Sequence, residues 1–251
     1  MKLKFNILLI TLTLLCNLFL TNNTLANEGT QEVVTNTKNN EIGKRVALFD
    51  GPNNHSCTAT MITPNIGLTA AHCGNGFKEN AYVGRVSPAQ SARETPYGSM
   101  NITLFNPYSK QDTDIAIIHG KDSDKNTSYK YYEKTFADKP LDLKGLSEKE
   151  LSDLVGKKVF SLGYPYDFDG YKQYKFTGNI KLANTHAIHT ILPSYGGQSG
   201  SPVFLEENKQ LIGVLIRSGS DNNNAILQPI TKDIADWYKT KVSNLENTIS
   251  S

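Results

Sequence analysis

Over residues 45–125 and 157–230 the apolar residues come only in short runs, each soon cut off by Gly, Pro, Asn, Asp or Ser. Such runs cannot sustain the helical period, whereas a buried strand needs only about four to eight residues. Val46–Phe49, Thr58–Ile62, Ile66–Ala70, Tyr82–Val86, Ile102–Phe105 and Ile115–Ile118 read as one set of strands. Val159–Leu162, Tyr174–Asn179, Ala187–Leu192, Pro202–Leu205, Leu211–Ile216 and Ala225–Leu227 read as a second. Two equal sets predict an all-β chain of two six-stranded antiparallel β-barrels, residues 45–125 and 157–230.

The flanks read differently. Between the sets, residues 126–156 form an interdomain connection with one short helix, announced by a capping box at Ser147-Glu148-Lys149-Glu150. After the second set, Thr231 caps a C-terminal α-helix over 231–246, with Ile234, Trp237, Tyr238, Val242 and Leu245 on one face. At the other end, Lys2 and Lys4 precede an apolar run from Phe5 to Leu20 and then Thr24-Leu25-Ala26, the pattern of a signal peptide over residues 1–26. The run is short of the roughly 18 to 20 residues a membrane span needs. Lipidation at Cys16 is disfavoured by the bulky Leu15 before it. Residues 27–44 are polar and lack either apolar period, which suits a pro-segment or a mobile N-terminal arm, with Glu41-Ile42 a conceivable cleavage point.

Export bears on the cysteines. Without Cys16 the chain keeps Cys57 and Cys73, and an even pair in an exported protein reads as one disulfide. Lys and Arg total 26 against 24 acidic residues, so a net charge of +2 gives no electrostatic reason to expect nucleic acid or a membrane as partner. A secreted monomer is the expectation.

Three segments carry chemistry. In Gly196-Gly197-Gln198-Ser199-Gly200-Ser201-Pro202, glycines on both sides of a serine permit a sharp turn and close approach of a carbonyl to main-chain N–H groups. Ser199 is the expected nucleophile, with the N–H groups of Gly197 and Ser199 as an oxyanion hole. In Leu68-Thr69-Ala70-Ala71-His72-Cys73, His72 ends an apolar run beside a bridgeable cysteine, where a base can be held by its backbone. In Asp112-Thr113-Asp114-Ile115, Asp114 abuts the apolar run and can orient a histidine, while Asp112 reads as a solvated turn residue. Each segment alone has a plainer reading as a glycine turn, a strand-end histidine or a surface acid.

Together, Ala70-Ala71-His72-Cys73, Asp114-Ile115-Ala116 and Gly197-Gln198-Ser199-Gly200-Ser201-Pro202 resemble the three catalytic blocks of the trypsin-like serine proteases, in that family's order. The order His, Asp, Ser separates it from subtilisin-like enzymes and α/β-hydrolases. Val155-Gly156, Gly163-Tyr164-Pro165 and the Gly-Ser-Pro-Val-Phe ending are similar to the bacterial branch that includes glutamyl endopeptidases and staphylococcal V8-type proteases. The resemblance, over about residues 45 to 240, implies a secreted endopeptidase working by acyl transfer without a cofactor or metal.

The chain departs from the family at instructive places. Gln198 stands where digestive members carry the aspartate that pairs with a new α-amino terminus, so that salt-bridge switch is missing. Pro193 occupies the position that is acidic in trypsins, which argues against Arg or Lys preference. The strand after the serine reads Gly213-Val214-Leu215-Ile216-Arg217, without the histidine of glutamyl endopeptidases; His189 and Arg217 remain as cations for an acidic side chain. The competing readings are an exported binding module on the same fold, and a zinc site from His55, Cys57, His72 and Cys73. Asp167-Phe168-Asp169-Gly170 reads as a turn rather than a calcium loop.

Overall fold

The computed structural model describes residues 29–51, 55–74, 82–219 and 223–249, with side chains as far as 245. The expected signal peptide, 1–26, lies outside the described residues.

The first barrel is built from β2 (Val46–Asp50), β3 (Ser56–Met61), β4 (Ile66–Thr69), β5 (Gly84–Pro88), β6 (Met100–Ile102), β7 (Leu104–Pro107) and β8 (Ala116–His119). Their order in the sheet is β6-β5-β2-β3-β4-β8-β7. Only Thr103 separates β6 from β7, and its N–H donates to His119 O at 3.1 Å. The run from 100 to 107 is therefore one bent strand, pairing with β5 at one end and β8 at the other, which closes a six-sided ring.

The second barrel holds β9 (Lys158–Gly163), β10 (Tyr174–Ala183), β11 (Ile188–Thr190), β12 (Pro202–Leu205), β13 (Leu211–Ser218) and β14 (Ala225–Pro229). β9 pairs with both β10 and β12, so these six also close. A seventh strand, β1 (Thr30–Val33), was not expected. It lies antiparallel on β10, Thr30 opposite Thr177 and Val33 opposite Tyr174, along the edge that β11 leaves open. The segment expected as a pro-segment or mobile arm is thus docked on the C-terminal barrel. Its four strand residues are all exposed, so backbone pairing holds it rather than burial.

Strand alternation sorts the core. Phe49 and Ile118 point into the first barrel, while their neighbours Leu48 and Ile117 point to the junction between barrels. There they meet Phe160, Leu162, Phe204 and Val214 of the second barrel, and Ile234, Ala235 and Tyr238 of the C-terminal helix α3 (Lys232–Ile249). One continuous apolar layer fixes the two barrels against each other. The second barrel's interior is filled by Phe176, Leu192, Val203, Ile212 and Leu227.

The connection 126–156 holds two helices where one was expected. The Ser147 capping box is present and starts α2 (Glu148–Ser152); hydrogen bonds from the Ser147 hydroxyl and N–H hold the Glu150 carboxyl down at about 2. The other helix, α1 (Thr127–Ala137), is capped by Asn126, which accepts from Tyr129 N–H at 2.9 Å. Tyr129, Phe136 and Ala137 join the first barrel's core, whereas Leu151 and Leu154 join the second's. Each helix lids its own barrel.

Candidate functional site

His72 sits in a 3-10 turn, Ala71–Gly74, directly after β4. The turn is anchored by the Cys57–Cys73 disulfide, which ties it to β3. Asp114 lies two residues before β8, and its own N–H donates to Gln228 Oε1 at 3.0 Å. One carboxylate oxygen of Asp114 accepts the His72 backbone N–H at 2.9 Å, and the other faces His72 Nδ1 at 2.7 Å. One acid thus grips the residue at two points, its backbone and its ring. Its far nitrogen, Nε2, lies 2.8 Å from Ser199 Oγ, which arrives from the second barrel.

Burial pushes the Asp114 carboxyl upward, but hydrogen bonds from the His72 ring and backbone, the His72 charge and the Ala71 N–H outweigh it. The group ends below the usual carboxylate range, so it is ionised throughout mildly acidic and neutral pH. An ionised acceptor at Nδ1 places the proton there and leaves Nε2 as the basic nitrogen facing the serine.

The loop bearing Ser199 is shaped by glycine. Gly197 and Gly200 adopt φ of +90° and +86°, a region L side chains avoid. A Cβ at Gly200 would overlap Thr58 O, Thr69 Oγ1 and Ala70 N. The loop is sewn to the first barrel through Thr58: its N–H donates to Ser199 O at 2.8 Å and its hydroxyl to Gly197 O at 2.9 Å. On the other side Gly196 O accepts from Tyr166 N–H at 2.7 Å, and Gly200 N–H donates to Leu215 O at 2.7 Å. The N–H groups of Gly197 and Ser199 take no part in this network.

The remaining expected positions fall beside this loop. Pro193 is buried, and its neighbour Ser194 donates to Asn224 O while Ser218 donates to Ser194 O, both at 3.0 Å. These bonds fix the wall next to Ser199. His189 on β11 and Arg217 on β13 both stand opposite Ile226 of β14, one row across three strands. Ile188 and Thr190 point into the barrel, so the half-buried His189 points outward, on the face that Arg217 shares. Thr58 and Gln228, which brace the serine and the aspartate, carried no mark in the sequence: each matters only through a contact more than a hundred residues away.

The proposed zinc donors do not fit a metal. Cys57, His72 and Cys73 offer atoms within 4.8 Å of one another, but the two sulfurs are bonded to each other and His72 Nδ1 is engaged by Asp114. A disulfide sulfur lacks the thiolate charge that zinc requires. Asp169 is paired with Lys172 at 2.9 Å and takes a left-handed conformation at φ +77°.

Two closed antiparallel barrels with a carboxylate, an imidazole and a hydroxyl in line at their junction define a double-barrel class of protein. The chain belongs to the trypsin family: the family model described as Trypsin matches residues 33–238. It is similar to the glutamyl endopeptidase of Bacillus licheniformis, 30% identical over 159 residues, covering 62% of this chain and 47% of that protein. It also matches a Bacillus subtilis protein named extracellular metalloprotease, 25% identical over 193 residues, covering 73% of this chain and 58% of that one. The chain thus spans about half the length of the curated relatives it matches. A solved structure of a Glu endopeptidase in complex with MPD superposes with a TM-score of 0.66 at 20% identity, covering 86% of this chain and 97% of that one.

Proposed function

We propose that this chain is a secreted serine endopeptidase in which Ser199, His72 and Asp114 act as a triad. The observation that carries it is the unbroken line from Asp114 Oδ2 through the His72 ring to Ser199 Oγ, 2.7 and 2.8 Å long. Ser199 attacks a peptide carbonyl while His72 Nε2 takes its proton. The imidazolium so formed is stabilised by Asp114, and the oxyanion is received by the N–H groups of Gly197 and Ser199. His72 then returns the proton to the leaving amine, and a water, deprotonated by the same nitrogen, releases the acyl group. The N–H groups of Gly197 and Ser199, which meet no backbone acceptor among the described residues, and the positive φ of Gly197 support that hole.

The substrate residue ahead of the cut is acidic in this reading. The outward row of His189 and Arg217 supports it, as does the similarity to a protein named glutamyl endopeptidase. The amino-terminal pattern supports export, and the disulfide is consistent with an oxidising compartment.

The parent and Ser199→Ala are to be incubated with a diverse peptide mixture and the products sequenced. Cleavage should fall about 10^6-fold, to background, in the variant. Equal cleavage by both would remove Ser199 from the mechanism, and cuts without enrichment of Glu or Asp before the bond would remove the acidic preference.

A further inference from the structure

We propose that Tyr195 is a positioning residue for the reaction, latched at one end to the N-terminal strand and at the other to the nucleophile loop, so that the docked strand presets Ser199. The inference rests on the endopeptidase reading above. Gln198, next to the nucleophile, folds back on the loop: its Oε1 accepts the Tyr195 N–H at 2.6 Å, and its own N–H donates to Tyr195 O at 3.3 Å. The Gln198 side chain is fully buried, and its Nε2 meets no acceptor among the described residues. Burying a donor without a partner is unfavourable. A methionine of the same length would avoid it, so the feature the site retains is the acceptor.

The far end of Tyr195 is held by the strand. Its hydroxyl donates to Gln31 Oε1 at 2.8 Å, and its ring packs edge-on against Phe168 with centroids 4.9 Å apart. Gln31 stands opposite Phe176 in the β1–β10 register, and the Phe176 ring lies 6.2 Å from that of Tyr195. Two residues earlier, Gly29 comes so close to Ile191 O and Pro193 Cδ that no side chain fits there. The strand therefore touches both ends of the segment 191–195 that leads into the nucleophile turn. Every link is a neutral hydrogen bond or a ring contact. The latch needs no ammonium partner for residue 198, which matches an amide at that position.

The exported chain, Tyr195→Phe, Gln31→Ala, Gln31→Glu and the double variant Tyr195→Phe/Gln31→Ala are to be compared on the peptide that the parent cuts fastest, with Ser199→Ala alongside. Gln31 is exposed and Tyr195 half-buried, so the variants should fold and melt like the parent. Each single loss should lower kcat about three- to tenfold with KM near parental, the worth of one neutral hydrogen bond read as a rate. Gln31→Glu, which keeps an acceptor for the tyrosine hydroxyl, should restore most of kcat, and the double variant should be no slower than the slower single. Parental kcat in both singles, or losses that multiply in the double variant, would overturn the latch while Ser199→Ala remains inactive. Cleavage by Ser199→Ala would instead strike the endopeptidase reading and take the latch with it.

Discussion

The two barrels secure their halves of the site by opposite means. The first uses a covalent bond: Cys57 on β3 grips Cys73, the residue next to His72, and the turn cannot drift from the sheet. In the second, hydrogen bonds and two left-handed glycines shape the loop around Ser199, and both disulfide cysteines lie in the other barrel. The contrast follows from what each part must present. In the proposed mechanism the base offers one side chain and needs only a fixed backbone anchor, whereas the Ser199 loop must offer a hydroxyl and two N–H groups at once. That demands a particular backbone path, and residue type encodes a path better than a cross-link does.

The contrast predicts where damage is greatest. Gly200→Ala combines a disfavoured φ with overlap against Thr58 O, a backbone atom that cannot rotate away. We expect a loss of about 4 kcal/mol in a denaturant titration, together with loss of peptide cleavage. Near-parental stability would mean the loop has another path. Converting both Cys57 and Cys73 to alanine opens a loop with a sequence separation of 16 and should cost about 3 kcal/mol in the same titration. Activity should return in part under conditions where the variant is folded, since Asp114 still holds His72 twice. Full inactivity of the folded variant would show that the covalent anchor, not the acid, positions the base.

The smallest effect separates the barrels by pH. His119, buried at the end of β8 near Asp124, Lys121, Lys125 and Asp122, is held below the ordinary histidine value, chiefly by burial. As pH falls through that ordinary value the unfolded chain takes up a proton that the folded chain refuses. Its contribution to stability is therefore complete above the ordinary value and declines below it, until pH passes the lowered folded value. His186 and His189 of the second barrel are exposed or half-buried. Melting temperatures followed from neutral to mildly acidic pH should drop less steeply in His119→Leu than in the parent. An unchanged slope would place the acid sensitivity elsewhere.

Much of this was legible because each element obeys a local rule. The strand runs of both barrels stood out by short apolar clusters between turn residues, α2 by its capping box, and the nucleophile turn by glycines that prove to need positive φ. Helix α1 escaped because only Tyr129, Phe136 and Ala137 of its eleven residues are buried, too thin a stripe to show a period among lysines and exposed tyrosines. Strand β1 escaped for a related reason. All four of its residues are wet, and its partner lies near residue 175, so nothing within the segment marks it. The acid pair also had to be separated by reasoning that position alone supplied: Asp114 is drawn to His72, while Asp112 occupies a left-handed turn at φ +59°.

The line from Asp114 through His72 to Ser199 crosses the junction between barrels, since His72 and Asp114 come with one and Ser199 with the other. Cleavage by the proposed mechanism is therefore a logical AND over two folding events. A chain whose second half has yet to close holds the ingredients but not the circuit. A cut within the connection 126–156 that let the halves part would break the proposed line without touching Asp114, His72 or Ser199. Self-digestion at that place would act as a fuse.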